Sequence, residues 1–132
     1  MTPEAARYLE KARHCLDNGR VNLGVNLGND AGRNAYLAGF HAAQALIYER
    51  TGKVAKTHRG VHSQFDKLVT GERIIDEELR RFLGRAYSLK ALADYETGPG
   101  SEVPLKRAAA AIETAQKFVD CIAALLIAPP SA

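Results

Sequence analysis

The fold of this chain is decided by residues 33–46, which read RNAYLAGFHAAQAL. This stretch is apolar almost all the way round a helix, whereas a helix on a protein surface carries a narrower apolar stripe. It therefore predicts the central helix of a helical bundle. His41 interrupts the apolar run, and an imidazole placed in or beside a core needs a hydrogen-bond partner.

The rest of the chain is also helical in pattern. Five predicted helices account for nearly all of it. The first runs from Pro3 to about Leu27, and the second follows an N-cap at Asn29 or Asp30 and stops at Thr51-Gly52. The third follows an N-cap at Thr57 and ends before Gly71, the fourth follows an N-cap at Asp76 and continues past Ala93, and the fifth runs from near Pro104 to Pro129-Pro130. Residues 21–27 alternate as a strand would, but no other segment offers a strand partner, so we assign them to the first helix. Gly28 is expected to close that helix in a left-handed conformation. Residues 97–101 are the clearest loop. The chain is predicted to be all-α.

Length and composition indicate one domain. We take residues 1–132 as a single helical domain with a short Pro-rich tail at 129–132. No apolar run approaches the ~20 residues needed to span a bilayer, and no signal-peptide pattern begins the chain. Cys15 and Cys121 have no metal-ligand spacing and are interpreted as reduced thiols. These features predict a cytoplasmic protein that does not enter a membrane.

Positive charge is concentrated in residues 50–90. This section holds ten Lys or Arg against five Asp or Glu, which leaves +5 here and −2 in the remainder of the chain. A basic section of this kind attracts phosphates or RNA. A solvated helix surface without a ligand has the same composition, and charge alone does not separate the two interpretations.

Sequence motifs for cofactors and metals are absent. There is no phosphate-binding glycine loop, no HExxH, no paired CxxC and no GxSxG. His58 and His62 stand four residues apart, a spacing that would suit a metal. No carboxylate or third histidine accompanies them nearby in sequence, so we favour solvent-facing histidines, with no metal and no cofactor.

A denser group of polar residues lies near the end of the fourth predicted helix. Lys90 and Asp94 are four residues apart and can pair on one face. Together with Arg85 and Tyr95 they bring a cation, a carboxylate and a phenol to one place, which would suit phosphodiester binding and proton transfer at a ribose hydroxyl. The structural alternative is that Tyr95 packs its ring, Asp94 accepts hydrogen bonds from neighbouring helices and Arg85 is solvated.

Three short motifs resemble the HEPN domain (higher eukaryotes and prokaryotes nucleotide-binding). They are AYLAGFHAAQALI at 35–47, KTH at 56–58 leading into GVHSQF at 60–65, and ADY at 93–95, and the YLEKARHCL opening at 8–16 fits the family's first helix. The resemblance implies an up-and-down four- to five-helix bundle that dimerises near the polar cluster. It also implies a metal-independent endoribonuclease, as in many members, which often act as toxins restrained by a minimal nucleotidyltransferase.

The chain departs from the family's catalytic motif. That motif has an arginine, a polar residue and a histidine four to six residues further on. Here seven residues separate Arg33 from His41 and Arg50 from His58, and no histidine follows Arg85. The motif therefore does not by itself establish a ribonuclease.

The resemblance nevertheless gives a leading hypothesis. We expect a homodimer that acts on RNA or nucleotides in a toxin–antitoxin or defence setting, with a nucleotidyltransferase as partner. The expected catalytic residues are Arg85 as phosphate binder, with Asp94 and Tyr95 as acid–base and orienting groups. Lys90, His58 and His41 are supporting residues, and His41 is expected to bond towards Asp94 or Tyr95 and so hold the second helix against the fourth. The alternative is a non-catalytic dimeric module that binds nucleotides or another protein.

Overall fold

Six helices make up the part of the chain that the computed structural model describes, which is residues 1–72 and 75–127 without the side chains of residues 71 and 72. They are α1 (Pro3–Gly24), α2 (Gly28–Thr51), α3 (His58–Glu72), α4 (Glu77–Arg80), α5 (Phe82–Tyr95) and α6 (Leu105–Ile127). The described residues contain no strand, which confirms the all-α prediction. The predicted stop at Pro129-Pro130 and the tail at 129–132 lie outside the described residues.

The central position of α2 follows from its composition. Fourteen of its 24 residues are buried, and they lie on every side of the helix. It packs against α1, α3, α5 and α6. Most of the buried residues are alanine or glycine, so the neighbouring helices approach its backbone closely. Residues 33–46 thus form the central helix, as predicted.

The larger core side chains come from the helices around α2. The Phe118 ring on α6 has its centroid 5.3 Å from that of Phe65 on α3 and 5.2 Å from that of Phe82 on α5. These rings join three helices and are almost completely buried. Within the described ranges, no helix is both long enough and apolar enough to cross a membrane.

The junction between α1 and α2 differs from the prediction. The first helix ends at Gly24, and Asn26 rather than Gly28 adopts the left-handed conformation, with φ of 64°. Gly28 is instead the first residue of α2, and a Cβ there would lie 2.3 Å from the Val103 carbonyl oxygen. The Asn29 side chain does not cap α2, because its Oδ1 accepts the Val103 N–H at 2.8 Å. Glycine is therefore required here by a close tertiary approach rather than by a turn.

Most other predicted helix ends are confirmed. Gly52 ends α2 with φ of 70°. Thr57 Oγ1 accepts the Gly60 N–H at 2.9 Å, and Asp76 Oδ1 accepts the Leu79 N–H at 3.0 Å, so both act as N-caps. The predicted fourth helix is divided, however, because Arg81 forms a turn between α4 and α5.

Gly39 allows α2 and α5 to pack closely, and its substitution provides a test of this packing. A Cβ at residue 39 would lie 2.5 Å from Phe82 Cε2 and 3.1 Å from Leu83 Cδ2. Overpacking of this kind costs about 1–3 kcal/mol, more than the ~1 kcal/mol by which alanine improves on glycine within a helix. We expect Gly39→Ala to lower the free energy of unfolding measured by urea denaturation. Gly84→Ala is the matched control, because a Cβ at that helical glycine meets nothing within 4 Å and the variant should equal or exceed the wild type. Equal stability of both variants would contradict the close packing.

Candidate functional site

Helices α2, α3 and α5 meet at one face of the bundle, and the polar side chains of interest lie on that face. They form three adjoining groups. The imidazole cluster comprises Tyr36, Phe40, His58, His62 and Tyr87. The ion-pair cluster comprises Asp30, Arg33, Lys90 and Asp94. The arginine cleft is lined by His62, Phe65, Asp66, Arg80, Arg81, Leu83, Gly84, Arg85 and Ser88.

The imidazole cluster is organised around one hydroxyl group. Tyr36 is completely buried on α2. Its hydroxyl oxygen lies 2.7 Å from Nδ1 of His58 and 2.9 Å from Nε2 of His62. Both histidines are half-buried, one turn apart on α3. The prediction that they face solvent is therefore wrong, because their i,i+4 spacing places both rings against the same tyrosine on the neighbouring helix.

Aromatic rings enclose the two imidazoles. The Tyr87 ring on α5 has its centroid 5.2 Å from that of His58 and 5.7 Å from that of His62, and Phe40 lies 5.1 Å from His58. Burial lowers the pKa of His58, and Lys90 lowers it further. Burial and then His58 lower the pKa of His62, which Asp66 partly offsets. Both imidazoles are consequently neutral at pH 7 and able to accept a proton.

The ion-pair cluster joins α2 to the end of α5. Asp94 accepts hydrogen bonds from Nε of Arg33 and from Nζ of Lys90. The same guanidinium donates to Asp30 Oδ1 at 2.6 Å and to the Ala93 carbonyl oxygen at 3.1 Å. The hydrogen bonds from Lys90 and Arg33 hold the pKa of Asp94 below its usual value. The i,i+4 pairing of Lys90 with Asp94 is thus as predicted, and this carboxylate anchors two cations.

The arginine cleft has a volume of about 490 Å³ and lies between α3 and the α4–α5 segment. Arg80 donates to Thr70 Oγ1 at 3.0 Å, and Arg81 forms an ion pair with Glu77 at 3.0 Å. Arg85 is exposed, and its guanidinium makes no hydrogen bond or ion pair with any residue in the described ranges. Among the described residues, the cleft is lined by three guanidinium groups and one carboxylate, that of Asp66, which makes it suitable for an anion.

The structure brings some of the predicted site residues together and leaves others apart. His58, Lys90 and Asp94 lie on the same face, and Arg85 lies in the adjoining cleft. Tyr95, at the end of α5, is 72% exposed, and Lys90 Nζ lies 5.6 Å from its ring centroid.

His41 makes its side-chain hydrogen bond outside these three groups. Its Nδ1 is 2.8 Å from Oε1 of Gln44, and Gln44 Nε2 donates to the Ala55 carbonyl oxygen at 2.7 Å. The predicted bond from His41 towards Asp94 or Tyr95 is therefore wrong, because both of those residues lie on α5, whereas His41 bonds one turn along its own helix. Burial lowers the pKa of His41 as well. Through Gln44 it fixes the segment between α2 and α3.

The predicted site residues did not include Arg33, Tyr36, His62 or Tyr87. Tyr36 could have been identified from the sequence, because the hydroxyl of a tyrosine in an otherwise alanine-rich buried helix needs a hydrogen-bond partner. The sequence did not identify that partner. Among the described residues, no three His, Cys, Asp or Glu side chains are placed to hold a metal ion together.

Comparison with known proteins agrees with the fold and the motifs. The family model described as the HEPN domain matches residues 5–125. A protein of Methanocaldococcus jannaschii named "Putative toxin MJ0605" is 32% identical over 119 residues, which are 90% of this chain and 86% of that protein. The crystal structure of TT1696 from Thermus thermophilus superposes with a TM-score of 0.79 over 93% of this chain and 98% of that one. At 22% identity this structure supports the fold alone.

The ion-pair cluster can be tested through stability. Asp94→Asn leaves Arg33 and Lys90 without their shared carboxylate, and we expect the free energy of unfolding at pH 7 to fall by about 1 kcal/mol. The stabilisation by Asp94 is fully present at pH values above the ordinary carboxyl pKa, and it is lost as the pH falls through the lowered pKa of Asp94 in the folded protein. The difference between wild type and variant in urea denaturation should therefore shrink at acidic pH. Asp17→Asn is the control, because Asp17 is exposed on α1 and has no ion pair within the described residues. An equal loss of unfolding free energy in Asp17→Asn would refute the stabilising role of the ion-pair cluster.

Proposed function

The chain belongs to the HEPN domain family, and from that premise we propose that it is a toxin-like protein that cleaves RNA at the arginine cleft without a metal ion. The observation that carries this proposal is a pair of imidazoles bound to one hydroxyl group, beside a guanidinium that has no side-chain partner among the described residues. His62 belongs to the imidazole cluster and also lines the cleft that holds Arg85. The name of the Methanocaldococcus relative supports the toxin-like role.

The residues of the site match the needs of attack by a ribose 2′-hydroxyl on the adjacent phosphodiester. A base must take the hydroxyl proton, an acid must protonate the leaving 5′-oxygen, and a cation must stabilise the charge on the phosphorus oxygens. His62, the imidazole that lines the cleft, is the base, and His58 is the second proton carrier. Arg85 binds the phosphate. The products are a 2′,3′-cyclic phosphate and a 5′-hydroxyl, so atoms and protons balance without a further reactant.

The remaining predicted residues take supporting roles in this proposal. Asp94 is held ionised between two cations, so it positions Lys90 rather than exchanging protons. Lys90 lies close enough to His58 to lower the pKa of that imidazole. The exposed Tyr95 ring beside Lys90 offers a stacking surface for a base of single-stranded RNA.

Cleavage is tested with purified protein, single-stranded RNA and excess EDTA. We expect the wild type to give fragments that end in a 2′,3′-cyclic phosphate. His62→Gln and Arg85→Gln should lower the rate by about 10²–10³-fold, the range typical of a lost acid–base group or charge-stabilising donor. Arg13→Gln is the matched control, because Arg13 is exposed on α1, which contributes no residue to the cleft. Circular dichroism melts establish that each variant is folded.

Two results would contradict the proposal of RNA cleavage at the arginine cleft. Cleavage that persists in Arg85→Gln would place the chemistry elsewhere. RNA binding that depends on Arg85, with no cleavage by any form, would favour the alternative of a non-catalytic nucleotide-binding module. In cells, expression of the wild type should slow growth and expression of Arg85→Gln should not.

We also propose that the protein is a homodimer and that a nucleotidyltransferase partner restrains it. Exposed apolar side chains support the dimer: Val21, Val25, Leu27 and Leu105 lie at one end of the bundle. Leu27 and Leu105 line a hollow together with Asp30 and Arg33, which places this end beside the ion-pair cluster.

Light scattering tests the dimer. The wild type should have twice the 14.3 kDa mass of the chain, and Val25→Glu should shift it towards the monomer, because a carboxylate would be buried in the interface. Val54→Glu is the control, since Val54 is exposed to a similar degree in the segment between α2 and α3. A monomeric wild type would overturn the dimer proposal.

A further inference from the structure

The hydroxyl group of Tyr36 has one proton and two imidazole neighbours. It lies 2.7 Å from one nitrogen and 2.9 Å from the other, so both distances are those of hydrogen bonds. We propose that Tyr36 is a positioning residue that makes His58 and His62 a single coupled acid–base pair, in which the proton on one ring dictates the proton on the other.

The coupling follows from counting protons. A phenol donates one hydrogen bond and accepts others, whereas each neutral imidazole has one N–H and one bare nitrogen. One histidine must therefore accept the Tyr36 proton, and the other must donate its own N–H to the Tyr36 oxygen. If both nitrogens facing the oxygen were bare, only one could accept the Tyr36 proton, and the lone pair of the other would face a lone pair of the Tyr36 oxygen. Two N–H groups facing it would leave the buried hydroxyl proton without an acceptor.

The contacting atoms then fix the tautomers. Tyr36 faces Nδ1 of His58 but Nε2 of His62. If His62 donates from Nε2, then His58 accepts at Nδ1 and carries its proton on Nε2. If His58 donates from Nδ1, then His62 accepts at Nε2 and carries its proton on Nδ1. In both arrangements the two rings have the same tautomer, and away from Tyr36 one ring presents an N–H while the other presents a bare nitrogen.

The surroundings keep this arrangement in place. Tyr36 is completely buried in the central helix, and burial raises the pKa of its hydroxyl, so the phenol keeps its proton at neutral pH. The charged or titratable groups near the imidazoles are Lys90 and Tyr87 from α5, Asp66 from α3 itself, and the arginines of the cleft. A second added proton would make both imidazoles cationic and leave the Tyr36 proton unbonded. The pair should thus take up its two protons in two well-separated steps.

The catalytic use of this pair rests on the proposed function. His62 would take the 2′-hydroxyl proton on Nδ1 and pass its Nε2 proton to the Tyr36 oxygen. Tyr36 would pass its own proton to Nδ1 of His58, and His58 would give its Nε2 proton to the leaving 5′-oxygen. One proton enters and one leaves, and the pair ends in the second tautomer arrangement. Neither step requires an imidazolium in the resting enzyme, so cleavage should persist at alkaline pH.

The coupling is tested first without RNA, by nitrogen-15 NMR of histidine-labelled protein. In the wild type, His58 and His62 should have the same tautomer above pH 7, and their two protonation steps should be separated by at least about 1 pH unit more than in Tyr36→Phe. That variant keeps the ring and removes only the hydroxyl. Tyr48→Phe is the control, because Tyr48 lies on the same helix and its hydroxyl makes no hydrogen bond with the described residues. Opposite tautomers in the wild type, or an unchanged separation in Tyr36→Phe, would overturn the coupling.

The relay is tested by the pH profile of RNA cleavage. The wild-type rate should rise with pH and reach a plateau, because the neutral pair already holds both an acid and a base. In Tyr36→Phe the acid must be an imidazolium, so the rate should fall about tenfold per pH unit on the alkaline side. A plateau in Tyr36→Phe would overturn the relay. Coupled tautomers in a wild type that does not cleave RNA would instead refute the proposed function and leave the coupling intact.

Discussion

The hydrogen bonding of one buried hydroxyl determines the arrangement of the polar face. Tyr36 lies in the helix that every long neighbour packs against, so its oxygen has no access to water and must be bonded within the protein. That requirement brings α3 to α2 with two histidines turned inwards. Tyr87 then covers them from α5. The two hydrogen bonds of this hydroxyl therefore help to fix α3 against α2 and, in our proposal, couple the protonation of its histidines.

The ion-pair cluster attaches α5 to α2, as the hydrogen bonds of Tyr36 attach α3 to α2. Arg33 lies three residues before Tyr36 on α2, and its bond to Asp94 holds the last turn of α5 against the central helix. Lys90 shares that carboxylate and is thereby kept beside His58. A cation near an imidazole disfavours the imidazolium. The Asp94 carboxylate thus lowers the pKa of His58 indirectly, by fixing the position of Lys90.

The sequence predicted features that depend on local chemistry. Helical periodicity gave the all-α bundle and the central α2, and the N-caps at Thr57 and Asp76 followed from side chains that bond their own first turn. Features that depend on contacts between helices were missed. Gly28 was assigned to a turn because the carbonyl of Val103, which excludes a side chain there, is distant in sequence. The spacing of His58 and His62 showed that they share a face, but not which helix that face meets.

In our proposal, the same limitation explains why the family's catalytic motif is missing from the sequence. A search for arginine followed closely by histidine assumes that both groups come from one helix, and no histidine follows Arg85 on α5. In the bundle, α3 supplies His62 to the cleft that contains Arg85. The two residues lie 23 positions apart in the chain, so no spacing rule within one helix relates them. In our proposal a guanidinium and an imidazole act on one phosphate from different helices, and the packing of α3 and α5 against α2 brings them to the same cleft.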